Sequence, residues 1–142
     1  MRRSELLGLR WLDLNLSRGT VSIAQILHCL PGGRTVFEQP KMARSKRLVR
    51  LSQENTLALR AYRGTVEADL EQVGDSISGD RLLSLQINGA PFLPNTVTHA
   101  SAKFVRRAGL EGFTFHSLRH THASIMLQQG VSSKTVAERL GH

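Results

Sequence analysis

One cysteine, one tryptophan and one tyrosine are all that 142 residues contain of these types. Cys29 alone cannot close an internal disulfide, and it rules out a cysteine-based zinc cluster. Aromatic residues make up 5% of the chain, too few for single-strand binding by stacked bases. No apolar run approaches the ~18 residues that would span a bilayer. Met1-Arg2-Arg3 is followed by charged, amphipathic "SELLGLRWLDLN", which has no signal-peptide core. Glycine-rich phosphate loops and carboxylate clusters are also lacking. These absences describe a soluble, cytoplasmic protein without a nucleotide or metal motif.

Positive charge is what the chain has in excess. Its 19 Lys+Arg against 11 Asp+Glu give a formal charge of +8 and a pI near 11.0. Such an excess favours a polyanion through counterion release, and nucleic acid is the commonest one. Hydrophobic residues at 40% suit a folded domain, and the length suits one domain.

Along the chain, "RSELLGLR" (3–10) has the pattern of the end of a helix, with Leu6 and Leu9 inward and no upstream turns. "GTVSIAQIL" (19–27), "RTVFEQ" and "KRLVRLS" are β-rich, with a turn at "PGG" (31–33), and predict a small antiparallel sheet of two or three strands. Leu59, Tyr62, Val66, Leu70 and Val73 then form a helical stripe interrupted by Gly64. Asn95 or Thr96 can cap a helix carrying the stripe Val97, Ala100, Phe104 and Ala108, closed by Gly109. A helix from about Ser117 to Gln129 breaks at Gly130, and Ser132 can cap a final one. The fold class is mainly α with a small antiparallel β-sheet, and the pattern looks cut at both ends.

Two segments concentrate chemistry. "PKMARSKRLVRL" (40–51) carries Lys41, Arg44, Lys46, Arg47 and Arg50 on a hairpin. It can follow a DNA backbone, or it can be a charged edge strand that discourages aggregation. "FTFHSLRHTH" (113–122) holds His116, Arg119, His120 and His122. Three readings stand side by side. The i,i+4 pair His116 and His120 has the spacing of two zinc ligands, although Ser117 stands where a metalloprotease helix has Glu. The cluster can also be an ordinary helix start. Alternatively, His116 and Arg119, i,i+3 on one face, can hold a phosphate: arginine offers a planar fork, and histidine donates or exchanges a proton.

Four motifs in order resemble the tyrosine recombinases, the phage-integrase type of site-specific recombinase. "RRSELLGLRWLDLNL" is similar to the family's first arginine box, with Arg2 and Glu5. "QPKMARSKRLVRL" is similar to the hairpin of the catalytic lysine, with Lys41. "FHSLRHTHAS" is similar to the His-x-x-Arg box, with His116 and Arg119, and "ERLGH" to the box of the last histidine, His142. Met42 stands where threonine is common and Ser117 where aspartate is common.

The resemblance implies that residues 1–142 are part of a catalytic domain without its N-terminal DNA-binding domain or its C-terminal tyrosine segment. Arg2 and Arg119 would bind the non-bridging oxygens, Lys41 would protonate the leaving 5′-oxygen, and His116 and His142 would assist. Glu5 would brace an arginine, while Arg44, Lys46 and Arg47 would touch DNA. The implied reaction joins tyrosine to a 3′-phosphate of duplex DNA with no metal or other cofactor, on a homotetramer at paired sites when full length, in a bacterial or phage setting. The nucleophile itself is missing from the sequence. Tyr62, on an apolar stripe, is assigned to the core. Histidines 120 and 122 are assigned to packing or support, and Trp11 and Asp13 to the exit of the first helix. The rival class is a helix-turn-helix regulator built on "ASIMLQQGVSSKTVAERLGH" (123–142).

Overall fold

The computed structural model describes residues 1–39 and 46–141. Helix α1 (Arg3–Leu7) leads through a 3-10 turn (Trp11–Asp13) into strands β1 (Leu14–Asn15) and β2 (Thr20–Ile23). Strands β3 (Ile26–Cys29), β4 (Thr35–Glu38) and β5 (Arg47–Arg50) follow. Helices α2 (Gln53–Glu71), α3 (Pro94–Arg107), α4 (Phe115–Gln128) and α5 (Ser133–Leu140) complete the order.

The sheet is divided. β1, β2 and β5 form one antiparallel sheet with β2 central, and β3 pairs with β4 in a separate hairpin. The stretch 19–27, expected as one strand, breaks at Ala24–Gln25. There the Gln25 side chain donates to the Gly8 carbonyl at 2.8 Å, tying the break to the end of α1. Gly8 permits the approach, because a Cβ at that position would lie 3.0 Å from the Gln25 oxygen and 3.1 Å from Ile26 Cα.

Leu9, Trp11, Val21, Ile23 and Leu83 make the core beneath the three-stranded sheet, with Leu59 and Val66 of α2 packed against it. Each such side chain contributes about 1.5–3 kcal/mol by leaving water. The stripe on α2 holds from Leu59 to Leu70, but Val73 lies beyond the helix and is exposed. Tyr62, expected in the core, is instead exposed at 42%: its ring stacks on Trp11 with centroids 5.9 Å apart, and its hydroxyl reaches the Leu83 carbonyl at 3.1 Å.

Two expectations for α3 are corrected. Leu93 occupies the N-cap position with Pro94 as the first helical residue, so neither Asn95 nor Thr96 caps it; proline's fixed φ suits that place. The buried residue is Val105, while Phe104 is exposed, so the inward face is turned by one position from the predicted stripe. Phe104 is the bulkiest apolar residue there, but a neighbouring aliphatic side chain takes the contact.

α4 and α5 do form two helices joined at Gly130, each with a hydroxyl cap. Thr114 accepts from Ser117 N at 3.1 Å, and Ser132 from Thr135 N at 3.2 Å. Val136 and Leu140 are buried, and α5 packs on α4 and β5. No helix among the described residues is long and apolar enough to cross a membrane.

Candidate functional site

Residues from both ends of the chain meet at the C-terminal turn of α5. Arg47 Nε donates to the Arg139 carbonyl at 2.8 Å, and Arg2 Nη2 donates to the Gly141 carbonyl at 3.0 Å. Between them, Arg119 Nη2 donates to the Leu140 carbonyl. Three successive carbonyls thus receive three guanidinium groups. A helix end makes this possible because its last carbonyls have no partner within the helix and carry the negative end of the dipole.

Glu5 sits in the same cluster and is 1% exposed. Its oxygens accept from Arg47 Nη1 at 3.1 Å and Nη2 at 2.9 Å, and from Arg2 Nη1 at 3.0 Å and the Arg2 backbone at 2.6 Å. Burial pushes the carboxyl's pKa up, but the bonds from Arg47 and Arg2 outweigh it and hold it down to about 2. Burial first, and then the neighbouring Arg2, pull the Arg119 pKa below its ordinary value.

Gly141 closes α5 in the left-handed conformation at φ 71°. It is also pressed against Arg47: a Cβ there would stand 2.6 Å from Nη1. Both facts favour glycine, and together they account for Gly141 within the motif "ERLGH".

A cleft of about 940 Å³ opens beside this cluster, lined by Arg2, Arg119 and His116 among others. Thr114 caps α4 so that its first turn, with His116, faces the cleft. His116 Nε2 lies 3.0 Å from His120 Nε2, with the rings edge to face. This is the i,i+4 pair that the metal reading needs, and among the described residues no group of three or more metal-binding side chains gathers. His120 thus has a specific partner in His116, beyond general packing; the spacing of the two histidines was the signal. His122 accepts from Arg139 Nε at 3.3 Å, and burial, then Arg139, lower its pKa.

Of the predicted site residues, Arg2, Glu5, His116 and Arg119 are brought together, and Arg47 joins them. Expected at the DNA-facing surface, Arg47 turns inward instead, its side chain 7% exposed. Strand alternation explains it: Arg47 and Val49 share the packed face, and Leu48 and Arg50 the open one. Lys46 stays exposed and donates to Gln39 Oε1 at 2.8 Å. Lys41, Arg44 and His142 lie outside the described residues. Tyr62 lines a different hollow, with Leu59 and Leu83. Asp13, buried, accepts from the Arg10 backbone and side chain and fixes the turn after α1, as expected of it.

A small divided sheet with helices, and an arginine cluster built from distant motifs, define a catalytic-domain fold of the recombinase class. The phage integrase family model matches residues 1–142, and the chain belongs to that family. It is 27% identical over its whole length to a XerC-like tyrosine recombinase of Caldanaerobacter subterraneus subsp. tengcongensis, covering 39% of that protein. It is 25% identical over its whole length to the ICEBs1 integrase of Bacillus subtilis, covering 38%. Among solved structures, the Tn1549 transposon integrase in complex with circular intermediate DNA superposes with a TM-score of 0.78 at 20% identity. That match covers 100% of this chain and 47% of the other. XerA recombinase superposes with a TM-score of 0.73 at 23% identity, covering 99% of this chain and 43% of the other. The chain therefore spans about two fifths of the length of the curated relatives it matches.

Proposed function

We propose that this chain is the phosphate-activating part of a tyrosine recombinase's catalytic domain, acting in site-specific cleavage and rejoining of duplex DNA. The observation that carries the reading is the convergence of Arg2, Arg119 and His116 on one cleft beside the end of α5. In the proposed reaction a tyrosine oxygen attacks the scissile phosphorus, and the bond to the 5′-oxygen breaks. Lys41 gives that oxygen its proton. Arg2 and Arg119 balance the charge that gathers on the equatorial oxygens of the phosphorane, where fixed donors act most strongly. His116 donates to the phosphate or passes a proton, and His142 helps hold it. The product is a 3′-phosphotyrosine link that conserves the bond energy, so rejoining needs neither a nucleotide nor a metal cofactor.

The attacking tyrosine in this scheme is not Tyr62, whose hydroxyl is engaged with Leu83 on the far side of Trp11. Exchange between two duplexes requires four strand cleavages, so four such centres, a homotetramer on paired sites, fit the reaction. The bacterial and phage sources of the relatives support action on DNA in a bacterial cytoplasm. Exposed Lys46, with Arg44, is the proposed contact to the DNA backbone.

Binding to a mixed-sequence duplex tests this. The logarithm of affinity should fall linearly with the logarithm of salt, and K41A/R119A should weaken binding; affinity flat in salt would overturn the reading. Incubation with a nicked duplex should give no covalent protein–DNA band, and a band would show that Tyr62 had been misassigned.

A further inference from the structure

Resting on the phosphate-binding role proposed for Arg2, the geometry points to Arg47 as a positioning residue that sets Arg2 and the end of α5 for the phosphate. It does so through Glu5, without touching DNA itself. Arg47 uses its fork in two directions, Nη1 and Nη2 to Glu5 and Nε to the Arg139 carbonyl. Glu5 passes the constraint on, because it also takes the Arg2 backbone and Nη1. The other arm of Arg2, Nη2, lands on Gly141, the residue pressed against Arg47. Arg2 is therefore held at two points, each anchored by the same guanidinium.

The strand and the helix exchange a second bond in return. Arg139 Nη2 donates to the Arg50 carbonyl at 2.8 Å, so β5 and α5 each send a guanidinium to the other's backbone. β5 begins a few positions after Lys41 in the chain, and α5 ends just before His142. Arg47 thus joins the three sequence motifs that hold Arg2, Lys41 and His142. A lysine could pair with Glu5 but could not also span to the Arg139 carbonyl, since an ammonium is a single point and a guanidinium is a fork.

A double-mutant cycle between Arg2→Ala and Arg47→Lys, read as duplex affinity, tests the assignment. R2A should weaken binding about tenfold and R47K about fivefold, while the pair should be no weaker than about tenfold. A loss that multiplies towards about fiftyfold would mean that Arg47 reaches DNA independently and would overturn the proposal. So would R47K binding like the unaltered chain while R2A is weak. R2A binding normally would instead overturn the phosphate role of Arg2, which is the reading beneath. A second measurement needs no substitution. On duplex addition the Nε–H proton of Arg2 should shift in an NMR titration while that of Arg47 stays in place and protected from exchange. A shift of Arg47 as large as that of Arg2 contradicts its positioning role.

Discussion

Arginine followed three residues later by an acid occurs twice near the start of this chain, as Arg2–Glu5 and Arg10–Asp13. Locally the two are near copies. In each, the acid accepts from the arginine's own backbone N–H, at 2.6 Å and 2.9 Å, and from its guanidinium, at 3.0 Å and 3.1 Å. Both acids are buried. What differs is the company. Glu5 stands among Arg2, Arg47 and the neighbouring Arg119, whereas Arg10 stands between Asp13 and the exposed Asp80. The first cluster gathers three arginines around one buried carboxylate and opens on a cleft; the second pins a turn. Spacing makes the pair, and tertiary charge balance decides whether it can take an anion.

The largest expected effect breaks the first pair. Glu5→Ala takes the carboxylate from the buried Arg47 guanidinium and from the partly exposed Arg2, and should cost about 3–5 kcal/mol in urea unfolding. Asp13→Ala leaves one partly exposed arginine still paired with Asp80 and should cost about 1–3 kcal/mol. Equal costs would erase the distinction between the clusters.

Acid sharpens the same contrast. The Glu5 carboxyl is held at about 2, below its ordinary 4.5, so its stabilisation is complete above about pH 4.5 and is lost as pH falls towards 2. That contribution is worth about 3 kcal/mol. Urea midpoints of the unaltered chain and of Glu5→Gln should differ at pH 7 and converge near pH 2. A difference that persisted at pH 2 would contradict this account of the cluster.

Gly141 and Gly130 make a smaller test. Both have positive φ, 71° and 79°, but a Cβ at Gly130 meets nothing within 4 Å while one at Gly141 strikes Arg47. Gly130→Ala should cost only the conformational strain, about 1–2 kcal/mol. Gly141→Ala should cost more and should also weaken duplex binding. The smallest effect belongs to Arg10→Ala, which should leave the salt slope of duplex binding unchanged, since the second cluster carries no phosphate.

Much of this was legible in the residues. Most of the helical stripe of α2, the Ser132 cap of α5 and the small sheet follow from period and capping alone, whereas the Thr114 cap, three residues before the expected start of α4, was not foreseen. The resemblance groups Arg2, Glu5, His116 and Arg119, and in the structure Arg2, His116 and Arg119 line one cleft with Glu5 bonded to Arg2. The inward turn of Arg47 was also within reach, because Val49 fixes the packed face of β5 and Arg47 shares its parity. It was missed because a run of five cations suggests an open surface. The carbonyls of Arg139, Leu140 and Gly141 could not have been found that way, since backbone acceptors leave no mark in the residue types. Nor could the break at Ala24–Gln25, which rests on a bond from Gln25 to distant Gly8.

The most direct test of the convergent site is the salt dependence of duplex binding by the unaltered chain and by R2A/R119A. Each phosphate that is neutralised contributes about 0.9 to the slope of log affinity against log salt, and Arg2 and Arg119 share one. The double variant should therefore lose about one from that slope, as well as affinity. Two parallel lines would mean that neither arginine touches the DNA phosphate, and would contradict the account.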